Sequence, residues 1–213
     1  MYVGGDFGFL VLNAVTGELD FEVNLIEGNG QGRVFDIAVS ETQIYIGGEF
    51  NNANGIFRHN IARLSLDGEL DGSWRPNVRG GFGSGREAPV QSVTVSPSGN
   101  AVYVGGNFTS INGIDVPRST ENTTVSMLVL DASSGAAVRP ERFAPIVDRS
   151  VSGSDSKTLK VRDIAVTENY VIVAWGGPNH LSFHALDGTR LRQYRGTGDV
   201  QALQVMGLSL IHI

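Results

Sequence analysis

One phrase recurs along this chain and limits what it can become: a short aromatic and β-branched run that ends in two glycines. It reads Met1-Tyr2-Val3-Gly4-Gly5-Asp6-Phe7, Ile44-Tyr45-Ile46-Gly47-Gly48-Glu49-Phe50 and Val102-Tyr103-Val104-Gly105-Gly106-Asn107-Phe108, with a looser copy at Val173-Ala174-Trp175-Gly176-Gly177. A motif returning at long intervals marks a repeat architecture, in which each unit hides its apolar faces only against its neighbours. Each of the last three copies follows a second strand-like run: 34–40 (VFDIAVS), 90–96 (VQSVTVS) and 161–167 (VRDIAVT). A further run of that kind, 200–206 (VQALQVM), stands near the end.

After each glycine pair comes a third run, 9–13, 61–66, 127–130 and 181–186, which stops at Thr16-Gly17, Asp67-Gly68, Ser134-Gly135 or Asp187-Gly188. A fourth run follows each stop: 18–24, 69–75, 136–143 and 189–195. With the runs labelled a to d, the order is b-c-d, then a-b-c-d three times, then a final a. The apolar spacing is near two, and Asp-Gly supplies the positive φ that a tight hairpin needs. No stretch carries helical spacing over ten residues or more. The chain therefore reads as all-β: a β-propeller of four blade equivalents, each of four antiparallel strands, spanning residues 1–207. A two-layer sandwich also has short, regularly spaced strands and is the rival fold. Glycine makes up 28 of 213 residues, as many tight turns require. A glycine pair closing strand b would allow a bulge or a close backbone approach near the axis. The final run, 200–206, is expected to pair with 1–7 and close the first blade from the other end. Residues 208–213 (LSLIHI) resemble a translated library adapter, so they are taken as a non-native tail on a fragment.

The unit 34–76 has the core YIGGEF…NG…R…IARL…DG.LD..W.P, and residues 90–145 keep VYVGGNFTSING…VSMLVLD…SG…F.P. These lines resemble the delta-60 type of propeller repeat of large bacterial secreted proteins. They are also similar to propeller units of fungal cell-cortex marker proteins. The resemblance implies a secreted or cell-surface propeller and carries over no catalytic residues, because the repeated positions are structural.

Zero Cys excludes disulfides and thiol chemistry, and a net charge of −6 argues against nucleic acid as a partner. No apolar run approaches the roughly 18 residues of a membrane span. The segments 28–32 (GNGQG) and 81–85 (GFGSG) lack the Gly-Lys-Ser/Thr ending of a phosphate loop. His180 and His184 share a strand side by their even spacing, but two ligands make a weak metal signal. No metal and no cofactor is expected. Asp36 and Asp163 occupy equivalent places in strand a, where Ser92 and Ala202 stand in the other units. Equivalence favours a structural use such as capping amides between blades. A carboxylate pair in the channel of a hydrolase is the alternative.

In a four-stranded blade the b–c and d–a connections share one face of the disc. The long segments 51–58, 109–124, 77–89 and 146–158 all fall there, while the a–b turns are short. Long loops held by a rigid scaffold are where binding residues concentrate. The candidate contact residues are Asn54, Arg58, His59, Arg79, Phe82, Arg86 and Arg118. The function expected is non-catalytic binding of a protein or carbohydrate ligand, with a channel-centred hydrolase or a purely architectural repeat as rivals. The ring of Trp74, just before Pro76, is expected to pack between blades.

Overall fold

The computed structural model describes residues 1–28, 30–80, 88–116, 124–138, 158–176, 180–195, 200, 202–206 and 209–212. Its regular structure is all strand, with no helix among the described residues. Blade 1 holds Tyr2–Gly5, Gly8–Leu12 and Leu19–Val23, and blade 2 holds Arg33–Val39, Gln43–Glu49 and Ile61–Ser65. Blade 3 has four strands, Val90–Val95, Ala101–Gly106, Met127–Asp131 and Ala137–Val138. Blade 4 orders Thr158–Val166, Tyr170–Gly176, His180–Ala185 and Arg190–Arg195, all antiparallel. Successive strands pair with their neighbours in sequence, as hairpin-linked propeller blades do.

The core lies between the blades. Phe9, Val23, Leu25, Val34, Ile44, Ile46 and Leu64 fill the gap between blades 1 and 2. Tyr45, Ile61, Trp74, Val90, Val104 and Leu130 fill the gap between blades 2 and 3. Tyr103, Met127, Val161, Ile164, Val173 and Trp175 fill the next. Blades 2 and 3 are thus apolar on both faces, and their stability is shared with their neighbours.

The glycine pairs make this packing fit. Every a–b ladder carries a bulge at the same place, between Val34 and Asp36, Val90 and Ser92, and Val161 and Asp163. The first glycine of each pair forms a socket for a valine of the next blade. A Cβ on Gly4 would stand 2.5 Å from Val34 Cγ1, one on Gly47 2.5 Å from Val90 Cγ1, and one on Gly105 would overlap Val161. The second glycine lies under the bulge, where a Cβ on Gly48 would overlap the Arg33 carbonyl oxygen and one on Gly106 the Pro89 carbonyl oxygen. The expected bulge and close approach are therefore both present.

Blade 4 departs from this pattern. Its register sets Asp163 against Ala174 and Val161 against Trp175, so Ala174-Trp175 replaces the glycine pair and Gly176 lies beyond it. The alignment of Gly176-Gly177 with the other pairs is corrected by the strand length, which places the bulge earlier than the glycines suggest.

Two further expectations are corrected. Run 69–75 forms no strand, only a Leu64–Leu70 bridge. Asp71 Oδ1 instead accepts from the Ser73 and Trp74 backbone N–H groups, and this local turn competes with the ladder. Trp74 does pack between blades: it is fully buried, with its ring edge-on to Tyr45 at 5.4 Å and the Arg63 guanidinium 5.6 Å above it. The run 200–206 does not close blade 1, because Leu203–Met206 pairs with Ser209–His212. The partner Ser209–His212 lies next to it in sequence, whereas pairing with Tyr2–Gly5 must close a loop of almost the whole chain. Ser209–His212 forms the partner strand of Leu203–Met206, and among the described residues the sheets do not form a closed ring.

Gly48→Ala is expected to lower unfolding stability by about 2 kcal/mol or more, because a backbone carbonyl cannot yield as a side chain can. Chemical denaturation checks it against Gly72→Ala, whose Cβ would meet nothing within 4 Å and whose φ is not in the left-handed region.

Candidate functional site

The long-loop face is built from short sheets that cross between blades. Asn52–Ala53 and Ile56–Phe57 form a hairpin inside the b–c segment of blade 2, and that hairpin pairs with Leu25–Glu27 in the connection entering the blade. Blade 3 repeats the arrangement with Ser110–Ile111, Ile114–Asp115 and Val78–Arg79. The turns are alike: Asn54-Gly55 has φ of 49 and 81, and Asn112-Gly113 has φ of 53 and 76. Positive φ at both positions is the geometry that asparagine followed by glycine favours.

Asn54 works as a clamp. Its Oδ1 accepts the Asn24 backbone N–H at 2.8 Å, and its own N–H donates to the Asn24 carbonyl at 2.8 Å. Asn112 does the same with Asn77, at 2.8 and 3.0 Å. Arg58 is 2% exposed, so the structure places it inside the face and not on its surface. Its guanidinium donates to the Phe57 and Asp71 carbonyls, tying the hairpin to the turn before Trp74. Its place on a long loop made it a candidate contact; the two carbonyls offset the desolvation of the buried guanidinium.

Half-buried His59 and exposed Arg79 both adjoin Asn77, near a residue that sequence reading passed over. Phe57 is 61% exposed, and its ring stands edge-on to His59 at 4.3 Å. A parallel bridge sets His59 beside Asn77, whose Oδ1 accepts from Arg79 Nε at 2.8 Å. Burial, and then the charge of Arg79, hold His59 below its ordinary pKa. Ile56 and Arg75 are exposed nearby in the chain, and Asp115 lies across Ser110 from Arg79 in the small sheet. The result is an aromatic and cationic patch on a rigid support. Phe82, Arg86 and Arg118 lie outside the described residues.

The inner strands carry a second polar feature. Asp36 Oδ2 accepts the Val93 N–H of the next blade at 2.8 Å, while its Oδ1 accepts from Ile37 at 2.8 Å. Ser92 Oγ accepts the Ile164 N–H at 3.0 Å and donates to Asp163 Oδ1 at 3.0 Å. Asp163 Oδ2 in turn accepts from Leu203. The equivalent positions thus cap amides from blade to blade, as their repetition suggested. Burial, and then the charge of Asp163, push Asp36 up to about 6 against its backbone hydrogen bonds. Burial also raises Asp163. Among the described residues no three His, Asp or Glu side chains are grouped to hold a metal ion.

In blade 4 the positions of Ala62 and Leu64 are taken by Ser182 and His184. Trp175 Nε1 donates to Ser182 Oγ at 2.6 Å, and Ser182 Oγ lies 2.7 Å from His184 Nε2. His184 Nδ1 lies 3.1 Å from the Gly188 carbonyl, which can only accept. The proton therefore belongs on Nδ1, and Nε2 accepts from the serine hydroxyl. A neutral ring is required, and burial lowers its pKa to about 4. Ser182 and His184 are fully buried, so this relay serves packing.

These groups oppose one another in pH dependence. Unfolded His184 takes up a proton near pH 6.5 and the folded ring resists until about 4, so its contribution is present above 6.5 and is lost as pH falls, by about 3 kcal/mol. Folded Asp36 binds its proton below about 6 and unfolded Asp36 only below 3.8, so its contribution is present at low pH and is lost as pH rises through 6. Denaturation at pH 4, 5, 6 and 7 is expected to show stability falling with pH in His184→Leu and rising with pH in Asp36→Asn. Parallel profiles would refute the assignment.

Residues 43–73 match the model of a β-propeller family described as a domain of unknown function, DUF5122. No curated protein matches the chain. Among solved structures, a protein of unknown function from Bacteroides caccae is similar over 97% of this chain, with a TM-score of 0.53 and 12% identity. The structure of U3-55K is similar over 85% of the chain, with a TM-score of 0.50 and 14% identity. The chain spans 61% of the Bacteroides protein's length and 45% of U3-55K. At such identity the likeness concerns the fold alone, that of a β-propeller.

Proposed function

We propose that this β-propeller chain is a non-catalytic interaction module of the delta-60 type, from a secreted or cell-surface protein. Its partner is a protein or carbohydrate contacted through the long-loop face. The observation that carries this reading is the Phe57, His59 and Arg79 patch. A large exposed ring beside arginine is the composition of binding hot spots, and here a clamped hairpin holds it without the ordering cost of a free loop.

The amide-capping role of Asp36 and Asp163 supports the same reading. Proton transfer by either carboxylate would loosen a bond between blades. The place of the module on the outside of the cell rests on the resemblance of the repeat.

Protein and glycan arrays probed with the chain test the proposal. A selective ligand is expected, and the double change Phe57→Ala with Arg79→Ala should weaken it by about ten-fold or more. The unfolding midpoint should stay unchanged, since both side chains are exposed. An absence of selective ligands would favour the architectural reading. Glycan turnover that Asp36→Asn abolishes would establish the hydrolase.

A further inference from the structure

The outward row of one small sheet narrows what the long-loop face can hold. In that sheet Val78 pairs with Ile111 and Ile111 with Ile114, and these three pack into the core. Arg79 pairs with Ser110 and Ser110 with Asp115, and residues directly opposite on antiparallel strands point to one side. Arg79 and Asp115 are exposed and Ser110 is half-buried, so the three form a line turned away from the core. A cation stands at one end, a hydroxyl in the middle and a carboxylate at the other, with about 5 Å between neighbouring strands.

Arg79 is set up for an anion. Its Nε donates to Asn77 Oδ1 at 2.8 Å, which fixes the guanidinium and leaves both Nη groups for another acceptor. Among the described residues Arg79 belongs to no ion pair, although acidic residues outnumber basic ones by 22 to 16 in the sequence. Two Nη donors on one edge match the two oxygens of a carboxylate. Asn77 is also bridged to His59, whose ring meets Phe57 at 4.3 Å, so phenyl, imidazole and guanidinium follow one another across the face. Most of the Phe57 ring is open to solvent, an apolar surface on which the C–H face of a sugar can lie.

The neighbours of Arg79 discriminate among anions. A densely charged polyanion sets like charge against Asp115. Asp115 can only accept hydrogen bonds and Ser110 both donates and accepts, so the row beyond Arg79 asks for hydroxyl groups. An acidic peptide brings few of these. One carboxylate flanked by hydroxyls and by a flat apolar ring face answers every group in the array, and a sugar acid carries all three.

We propose that the long-loop face binds a glycan containing uronic acid. The uronate carboxylate sits on the Nη edge of Arg79, a neighbouring ring lies on Phe57, and hydroxyls on the other side bond to Ser110 and Asp115. This partner rests on the interaction-module reading above and narrows it to one chemistry.

Titration calorimetry of the whole 213-residue chain with a galacturonic acid hexamer and with its methyl ester provides the test, since the ester keeps the sugar rings and hydroxyls and removes only the charge. The acid is expected to bind about ten-fold or more tightly than the ester. Arg79→Gln should abolish that difference, whereas Phe57→Ala should weaken acid and ester alike, with the unfolding midpoint unchanged in both variants. Equal binding of acid and ester would overturn the carboxylate, and a sulfated glycan bound as tightly as the acid would overturn the selectivity for it. Failure of both hexamers to bind, with a selective protein ligand found on the arrays, would overturn the sugar and leave the module. The absence of a selective ligand of any class would remove the module reading itself.

Discussion

Close approach of backbone to backbone where strand b meets the bulge of strand a governs the rest of this structure. Gly47 and Gly105 leave room for the valine of the next blade, and Gly48 and Gly106 leave room for a carbonyl. Once the bulge is set, the residue after it turns toward the neighbouring inner strand. This is why Asp36, Ser92 and Asp163 all reach amides of the following blade. Packing between blades and capping between blades thus follow from one local constraint. Blades 2 and 3, apolar on both faces, share their stability with the blades beside them.

Blade 4 tests how strict that constraint is. Ala174 stands where the other blades have their first glycine, and Trp175 brings a polar ring nitrogen into an apolar gap. Ser182 and His184 stand where blade 2 has Ala62 and Leu64, and they satisfy it through a chain of hydrogen bonds ending on Gly188. A buried polar atom is tolerable only when each member of its network is paired, and here one ring tautomer meets that demand.

The long-loop face shows the same economy at the surface. Insertions that look like free loops are hairpins stitched to the entering connection by Asn54 and Asn112. They lock the order of blades and present side chains outward on a stiff frame. Arg58 belongs to the frame, while Phe57, His59 and Arg79 belong to what the frame displays.

The repeat, the all-β class, the bulge at the glycine pair and the amide-capping use of Asp36 and Asp163 were legible in the residues. Each follows from local geometry that recurs in sequence, and recurrence separates structure from accident. The tertiary structure alone decided the inward turn of Arg58, the emergence of Phe57, the offset of blade 4, the turn at Asp71 in place of a strand, and the pairing of Leu203–Met206 with Ser209–His212. These depend on which edges and carbonyls meet across long stretches of chain. Competition between a nearby partner and a distant one is settled by loop closure and burial, and a single strand's sequence does not encode it.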